Sequence, residues 1–318
     1  MNALSKLILH RLALGALTLW IVSFLIFAGV QFLPGDAATE ILGQSATPET
    51  VAAFRKSLGL DLPFYLRYLE WLRAILHGNF GTALASGKDI TEIIGPRLLN
   101  TSILAACAAV ISVPLALCGG IVAALYRNTF IDRAINAVTL TWISFPEFFV
   151  AYILILILAV NTGVFPSLSQ VDANMSLLDR ASAIALPALT LAVVVMAHMM
   201  RMTRTSIVTL LGNQYIETAR LKGVPEWRIL VKHALPNALA PIANVVVLNL
   251  AYLITGVVVV EVVFVYPGLG QLIVDSVQKR DIPVVQACSL IFAATYVLLN
   301  LTADVLAIAV NPRLMHPK

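Results

Sequence analysis

Two carboxylates stand where carboxylates are expensive. Glu147, in Ser144-Phe145-Pro146-Glu147-Phe148, and Asp304 both fall inside long apolar runs. If those runs cross a bilayer, each ionised acid costs at least ~2.5–3.5 kcal/mol on insertion scales and needs a partner or water. For Glu147, next to Pro146, two readings stand open: it lines a translocation path, or it makes a structural hydrogen bond near a proline break. For Asp304 the structural role is the stronger reading. Elsewhere the residues that do chemistry are scattered. No G-x-S-x-G, H-E-x-x-H or C-x-x-C occurs, and the histidines at 10, 77, 198, 233 and 316 form no ligand pattern. Gly81 to Lys88 reads G-T-A-L-A-S-G-K. It has one residue too many between its glycines for a phosphate loop, and Asp89 stands where a Ser or Thr would hold magnesium. The enzyme class is therefore disfavoured, and no catalytic residue, metal site or cofactor site is assigned.

The elements that would position these acids are apolar. Hydrophobic residues make up 59% of the 318 and charged residues 12%, against roughly 25% charged in an average soluble domain. One soluble core cannot hide that much apolar surface, so the fold class is an all-α membrane protein. Net charge is +4, with no basic stripe interleaved with aromatics, so nucleic acid is not an expected partner. Cys107, Cys118 and Cys288 lie in apolar runs and read as small core residues.

Runs long enough to span occur at about 12–33, 102–125, 135–160, 183–200, 237–260 and 286–309. The first follows Lys6, His10 and Arg11 and is too long for a signal peptide, so an uncleaved first helix is expected. About six spans put both termini on one side. Arg127 and Arg133 mark one short loop, and Arg201, Arg204, Arg220, Lys222, Arg228 and Lys232 another. The positive-inside bias makes these loops and both termini cytoplasmic and puts 34–101 outside. Three regions follow: 1–33, the N-terminus and first span; 34–101, an external helical segment; and 102–318, a five-span core with a loop at 213–236.

Within 34–101, Thr47-Pro48-Glu49 starts a helix that Gly59 stops. A second helix begins near Asp61-Leu62-Pro63 and ends at Gly78, with Leu66, Leu69, Leu72 and Leu76 on one stripe. Tyr65, Tyr68 and Trp71 suit a helix at the water–lipid boundary. It either packs over the bundle's outer end or receives an external partner. On the second span, Ser112, Ala116, Gly120 and Ala124 form a small-residue face for close helix pairing.

The 213–236 loop is the most informative segment. Asn213 can cap a helix with Tyr215, Ile216 and Ala219 on one face, and Glu217 and Arg220 elsewhere. Gly223 breaks it in a left-handed turn. Pro225 opens a second helix with Trp227, Leu230, Val231 and Ala234 as an apolar stripe and Arg228 and Lys232 on the wet face. Pro236 marks the start of the next span. Such a basic amphipathic unit lies on anionic lipid or docks a soluble partner, and physics alone leaves both open.

Glu217-Thr218-Ala219, three residues, Gly223, nine residues and His233-Ala234-Leu235-Pro236 resembles the E-A-A-x3-G-x9-I-x-L-P loop of ABC importer permeases. Thr218 and His233 depart from it. Leu33-Pro34-Gly35-Asp36, Leu58-Gly59-Leu60-Asp61, Arg97-Leu98-Leu99-Asn100-Thr101, Tyr266-Pro267-Gly268-Leu269-Gly270, Arg280-Asp281-Ile282-Pro283 and Asp304 with Asn311-Pro312-Arg313 resemble blocks of the dipeptide, oligopeptide and nickel branch. The resemblance, to the first permease subunit, covers nearly the whole chain. It implies a type I ABC importer-like fold, location in a bacterial inner membrane, and a coupling helix seated on an ATPase subunit. It also implies a homologous second permease as heterodimer partner, two ATPase subunits carrying ATP and magnesium, and an external substrate-binding protein. The ATPase-coupling positions it implies are Tyr215, Glu217, Thr218, Ala219, Arg220, Gly223, His233, Leu235 and Pro236. Pro146 and Glu147 remain the translocation-path candidates. Short peptides are the expected substrate, with nickel, opine or oligosaccharide as alternatives on the same mechanism. The rival class is an ion-gradient-driven secondary transporter, which would be expected to carry a relay of intramembrane ionisable groups.

Overall fold

The computed structural model describes residues 3–31, 46–57, 62–172 and 174–310. The blocks 33–36, 58–61 and 311–313, and the side chain of Asp304, lie outside the described residues. Helices dominate, and among the described residues the only pairing of strand type is the isolated bridge between Thr82 and Asp89. In chain order the helices are α1 (Ala3–Gln31), α2 (Pro48–Ser57), α3 (Phe64–Leu76), α4 (Ile90–Leu125), α5 (Phe130–Ser144) and α6 (Glu147–Leu154). They continue with α7 (Leu177–Leu211), α8 (Gln214–Leu221), α9 (Glu226–Ile229), α10 (Leu235–Val263), α11 (Leu269–Gln278) and α12 (Ile282–Val310). Among the described residues, five helices are long and apolar enough to cross a membrane, and six if the bent pair α5–α6 counts as one span.

The spans differ from the sequence expectation at their ends. The second starts at Ile90, well before 102: the Asp89 carboxylate accepts the Thr91 N–H at 2.7 Å at its head, and the helix runs on through Gly95-Pro96 into the apolar run. The fourth, expected at 183–200, is 35 residues long and carries Arg201 and Arg204 within it. Its Ser176 caps the first turn by accepting the Asp179 N–H at 3.2 Å.

The chain divides into two compact units. One comprises 13–101 and 267–297. Here α3 packs on α1 through its aromatic residues: Phe27 lies 5.3–5.5 Å, centroid to centroid, from Phe64, Tyr68 and Trp71, and the Tyr68 hydroxyl meets Ser23 Oγ at 2.9 Å. The leucine stripe is not the packed face, since Leu69 and Leu76 are 56% and 78% exposed. Edge-to-face ring pairs reward aromatic contact beyond area alone, so the rings take the inner side. The 81–88 segment does hold an anion, one of the chain's own. Leu84 and Ala85 donate their N–H groups to the Asp281 carboxylate at 3.0 and 2.9 Å. Asn100 donates to the Pro267 carbonyl at 2.9 Å, and Leu269 N–H to Thr101 Oγ1 at 2.8 Å. Three separated sequence blocks thus close on one another over a core that includes Ile90, Leu269, Val284 and Cys288.

The other unit comprises 1–12, 102–266 and 298–318. Its central helix is α7, which packs against α5, α6 and α10. The small-residue face of α4 is buried throughout, at Ser112, Ala116, Gly120 and Ala124. A Cβ on Gly120 would meet the Met200 carbonyl oxygen and the Thr203 Cβ at 2.8 Å, so α4 and α7 approach to backbone contact. Of the cysteines, Cys288 is buried, but Cys118 faces outward, on the side of α4 opposite the small residues.

Candidate functional site

The span holding Glu147 is broken in two. Pro146 has no N–H to give α5, and its ring disfavours helical geometry for the residue before it; Phe145 is extended (φ −87°, ψ 135°). Helices α5 and α6 meet there at 106°. After α6 the helix widens into a π-helical stretch, Ile155–Asn161. The break puts Glu147 in the first turn of α6, half-buried, at the head of a helix.

Around that carboxylate lies a cavity of about 380 Å³, walled by Phe145 and Phe148 from the break, His198 from α7, and Tyr252 and Gly256 from α10. The Tyr252 hydroxyl donates to Glu147, and His198 lies close enough to act on it electrostatically. The Tyr252 and His198 rings are 6.3 Å apart. A Cβ on Gly256 would stand 3.0 Å from Glu147 Oε1 and 3.2 Å from Oε2, so a larger residue there would push the carboxylate by a few tenths of an ångström. A first-turn acid gains ~0.3–1 kcal/mol from its helix dipole. That is below the ~2.5–3.5 kcal/mol insertion cost, so the helix terminus alone does not explain the residue. Pro146 shapes the site and Glu147 supplies its charge, while His198, Tyr252 and Gly256 were not selected in the sequence. They lie 51, 105 and 109 residues from Glu147 in the chain, and none belongs to a local motif.

The 213–236 segment forms a second, separate candidate surface. Asn213 occupies the N-cap position of α8 with extended backbone, yet its side chain makes no capping bond. Gly223 has φ +75°, the left-handed turn expected of it. Across that turn Arg220 grips Glu226 with two bonds, Nε to Oε1 at 2.6 Å and Nη2 to Oε2 at 3.0 Å. The contact pushes the Arg220 pKa above its ordinary value, chiefly through the hydrogen bond.

The two apolar stripes are divided differently from expectation. Ile216 is fully buried and Ala219 half-buried, in a core with Ile207, Ile229, Leu230 and Ala234, whereas Tyr215 is 43% exposed. Trp227 and Val231 also face outward, at 60% and 55% exposed, and Ile229 takes the inner place. The cause is a π-helical turn, Leu230–Ala234, which adds a residue to the turn and rotates the face. It also absorbs Pro236, so α9 runs through the turn into α10 rather than stopping there. His233 and Leu235 are half-buried beside Pro236, and the Asn237 side chain donates to the His233 carbonyl at 2.7 Å. Thr218 is satisfied on its own helix, donating to the Gln214 carbonyl at 3.0 Å, and Glu217 is exposed. The Arg228 guanidinium lies 5.5 Å over the Trp227 ring, with Lys232 exposed nearby on the chain.

One buried ion pair was missed in the sequence. Arg204 of α7 binds Asp132 of α5 bidentately, Nε to Oδ1 at 2.6 Å and Nη2 to Oδ2 at 2.7 Å. The Asn128 N–H, at a residue with φ +65°, donates to Oδ2 at 2.9 Å, and the Asn136 side chain to Oδ1 at 2.6 Å. Thr129-x-x-Asp132 is a helix-start signature that hinted at the acid. Its partner 72 residues away carried no signal.

Residues 116–316 match the family described as the binding-protein-dependent transport system inner membrane component, and 4–91 match the N-terminal region of such membrane components. This chain belongs to that family. It is 39% identical over 299 residues to the glutathione transport system permease protein GsiC of Salmonella choleraesuis, covering 94% of this chain and 95% of the relative. The protein of that name from Escherichia coli K12 is 38% identical over the same span. Among solved structures, an inward-facing form of the MetNI methionine ABC transporter aligns with TM-score 0.55 at 19% identity, covering 70% of this chain and 97% of that one. That likeness speaks for the fold. The chain is thus an ABC importer permease of the peptide and nickel branch, a multi-pass inner membrane subunit and not an enzyme. The type I importer-like helical fold read from the motifs is the one observed.

Proposed function

We propose that this permease moves short peptides inward by alternating access, driven through segment 213–236 by a separate ATPase. The observation that carries the substrate is the 38–39% identity over 94% of the chain to permeases named for glutathione, itself a small peptide. In this reading both termini and segment 213–236 are cytoplasmic, and 34–101 is external. A homologous second permease completes the pathway, two ATPase subunits sit beneath with ATP and magnesium, and a binding protein delivers substrate from outside.

The build of segment 213–236 supports the coupling role. Its underside is a fixed apolar core through Ile216, Ile229 and Leu230, while Tyr215, Leu221 and Trp227 are presented outward. Aromatic side chains beside basic ones are the composition of a protein-binding surface. Leverage needs a unit that moves without deforming. The Gly223 turn, braced by the Arg220–Glu226 fork, supplies one.

The test is uptake of labelled di- and tripeptides into proteoliposomes holding this chain, its companion permease, the ATPases and the binding protein. ATP-dependent uptake in the wild type and its loss in Gly223→Asp, with the subunit still inserted, is the expected result. Normal transport by Gly223→Asp would remove the segment from the mechanism. Uptake that ignores ATP and follows an ion gradient would overturn the class of mechanism.

A further inference from the structure

The cavity at the α5–α6 break has the chemistry of an ammonium site. Among the described residues its one acidic wall residue is Glu147, its one titratable base is His198, and no Lys or Arg lines it. The Tyr252 hydroxyl holds the carboxylate from one side, and Gly256 leaves the space its oxygens occupy. The remaining wall combines the rings of Phe145, Phe148 and Tyr252 with the aliphatic side chains of Ile143, Val194 and Val259 and the His198 imidazole. The Phe145 ring lies 5.1 Å, centroid to centroid, from Phe149, tilted by 39°, and 6.5 Å from Trp142 in an edge-to-face arrangement, which holds it in place, while Phe148 and Tyr252 flank the open mouth. A carboxylate beside aromatic rings and without a Lys or Arg partner in the wall favours a cation by charge, and the ring quadrupoles add to that preference. Primary ammonium suits it better than guanidinium, because the carboxylate already gives part of its acceptor capacity to Tyr252. A volume of about 380 Å³ admits one end of a short peptide and not a folded chain.

We propose that Glu147 binds the free α-ammonium group of a peptide in transit, making the permease itself selective for an unblocked amino terminus. This rests on the peptide-import reading above and adds a selectivity step inside the membrane, apart from any made by the binding protein.

The experiment uses the complete transporter in proteoliposomes and two peptides of one sequence, one with a free amino terminus and one N-acetylated. The pair is chosen so that the binding protein binds both. Each is measured with wild-type permease and with Glu147→Gln and Glu147→Asp, all fed by the same binding protein, so that protein's own preference cancels. We expect the ratio of free-amine to acetylated uptake to fall about tenfold in Glu147→Gln, the scale of one charge-assisted hydrogen bond. Glu147→Asp, which keeps the charge, should recover part of the ratio. Equal loss for both peptides would overturn the proposal, pointing to a structural role or to an inorganic cation at the site. An unchanged ratio would overturn it as well. Failure of the wild type to take up either peptide with ATP would instead sink the substrate reading, and this proposal with it.

Discussion

Asp132 and Glu147 belong to the two arms of one bent span, fifteen residues apart, and their surroundings are opposites. Asp132 is nearly closed off, at 3% exposed, and its oxygens take four charge-assisted or amide bonds from Arg204, Asn128 and Asn136. Glu147 has a tyrosine hydroxyl, an imidazole at a distance, and an open cavity. A fully satisfied acid pins α5 to α7 and leaves nothing to bind. A partly satisfied one keeps acceptor capacity for a visitor. The difference teaches that an acid's neighbours, more than its depth in the membrane, separate a clamp from a candidate site.

The comparison breaks most plainly at the clamp. Arg204→Ala leaves Asp132 buried without its cation, which should cost about 3 kcal/mol. Thermal unfolding of the purified complex should shift down markedly, and Asp132→Asn with Arg204→Met together should shift it less than Arg204→Ala alone. If Arg204→Ala melts like the wild type, the pair is no clamp. Glu147→Gln should do the reverse, reducing free-amine peptide uptake about tenfold, or about 1.4 kcal/mol, with little change in melting. A large loss of melting temperature would make the two acids alike and the contrast false. Asn136→Ala removes a neighbour while leaving the Arg204 fork, and about 1 kcal/mol of stability is expected to go with it. Gly256→Ala should be the mildest, a few-fold loss of uptake from a Cβ placed 3.0 Å from Oε1. Its melting should stay near the wild type, since the displaced atom ends a flexible side chain; a loss of folding would mean the helix packing, not the carboxylate, needs the glycine.

How much of this was legible follows the range of each interaction. The spans, the Gly223 turn, the helix start at Pro48 and the small-residue face of α4 are local or periodic features, and residue types alone disclose them. Pro146 announced a break, although a proline does not declare its angle. The errors came where a turn of different pitch intervened. Leu230–Ala234 is π-helical, so counting at 3.6 residues per turn placed Trp227 inward and overlooked Ile229. In α3 the period was legible but not which face packs, because Leu and aromatic stripes compete and only the partner α1 decides between them. Arg204 with Asp132, and His198 with Tyr252, are long-range meetings that only the fold makes visible.

The most direct test of the account is ATP-dependent accumulation of a labelled dipeptide in proteoliposomes containing the complete transporter. Accumulation that requires both ATP and the binding protein, and that disappears in Gly223→Asp, is what the account predicts. Accumulation that persists without ATP, or in Gly223→Asp, would contradict it.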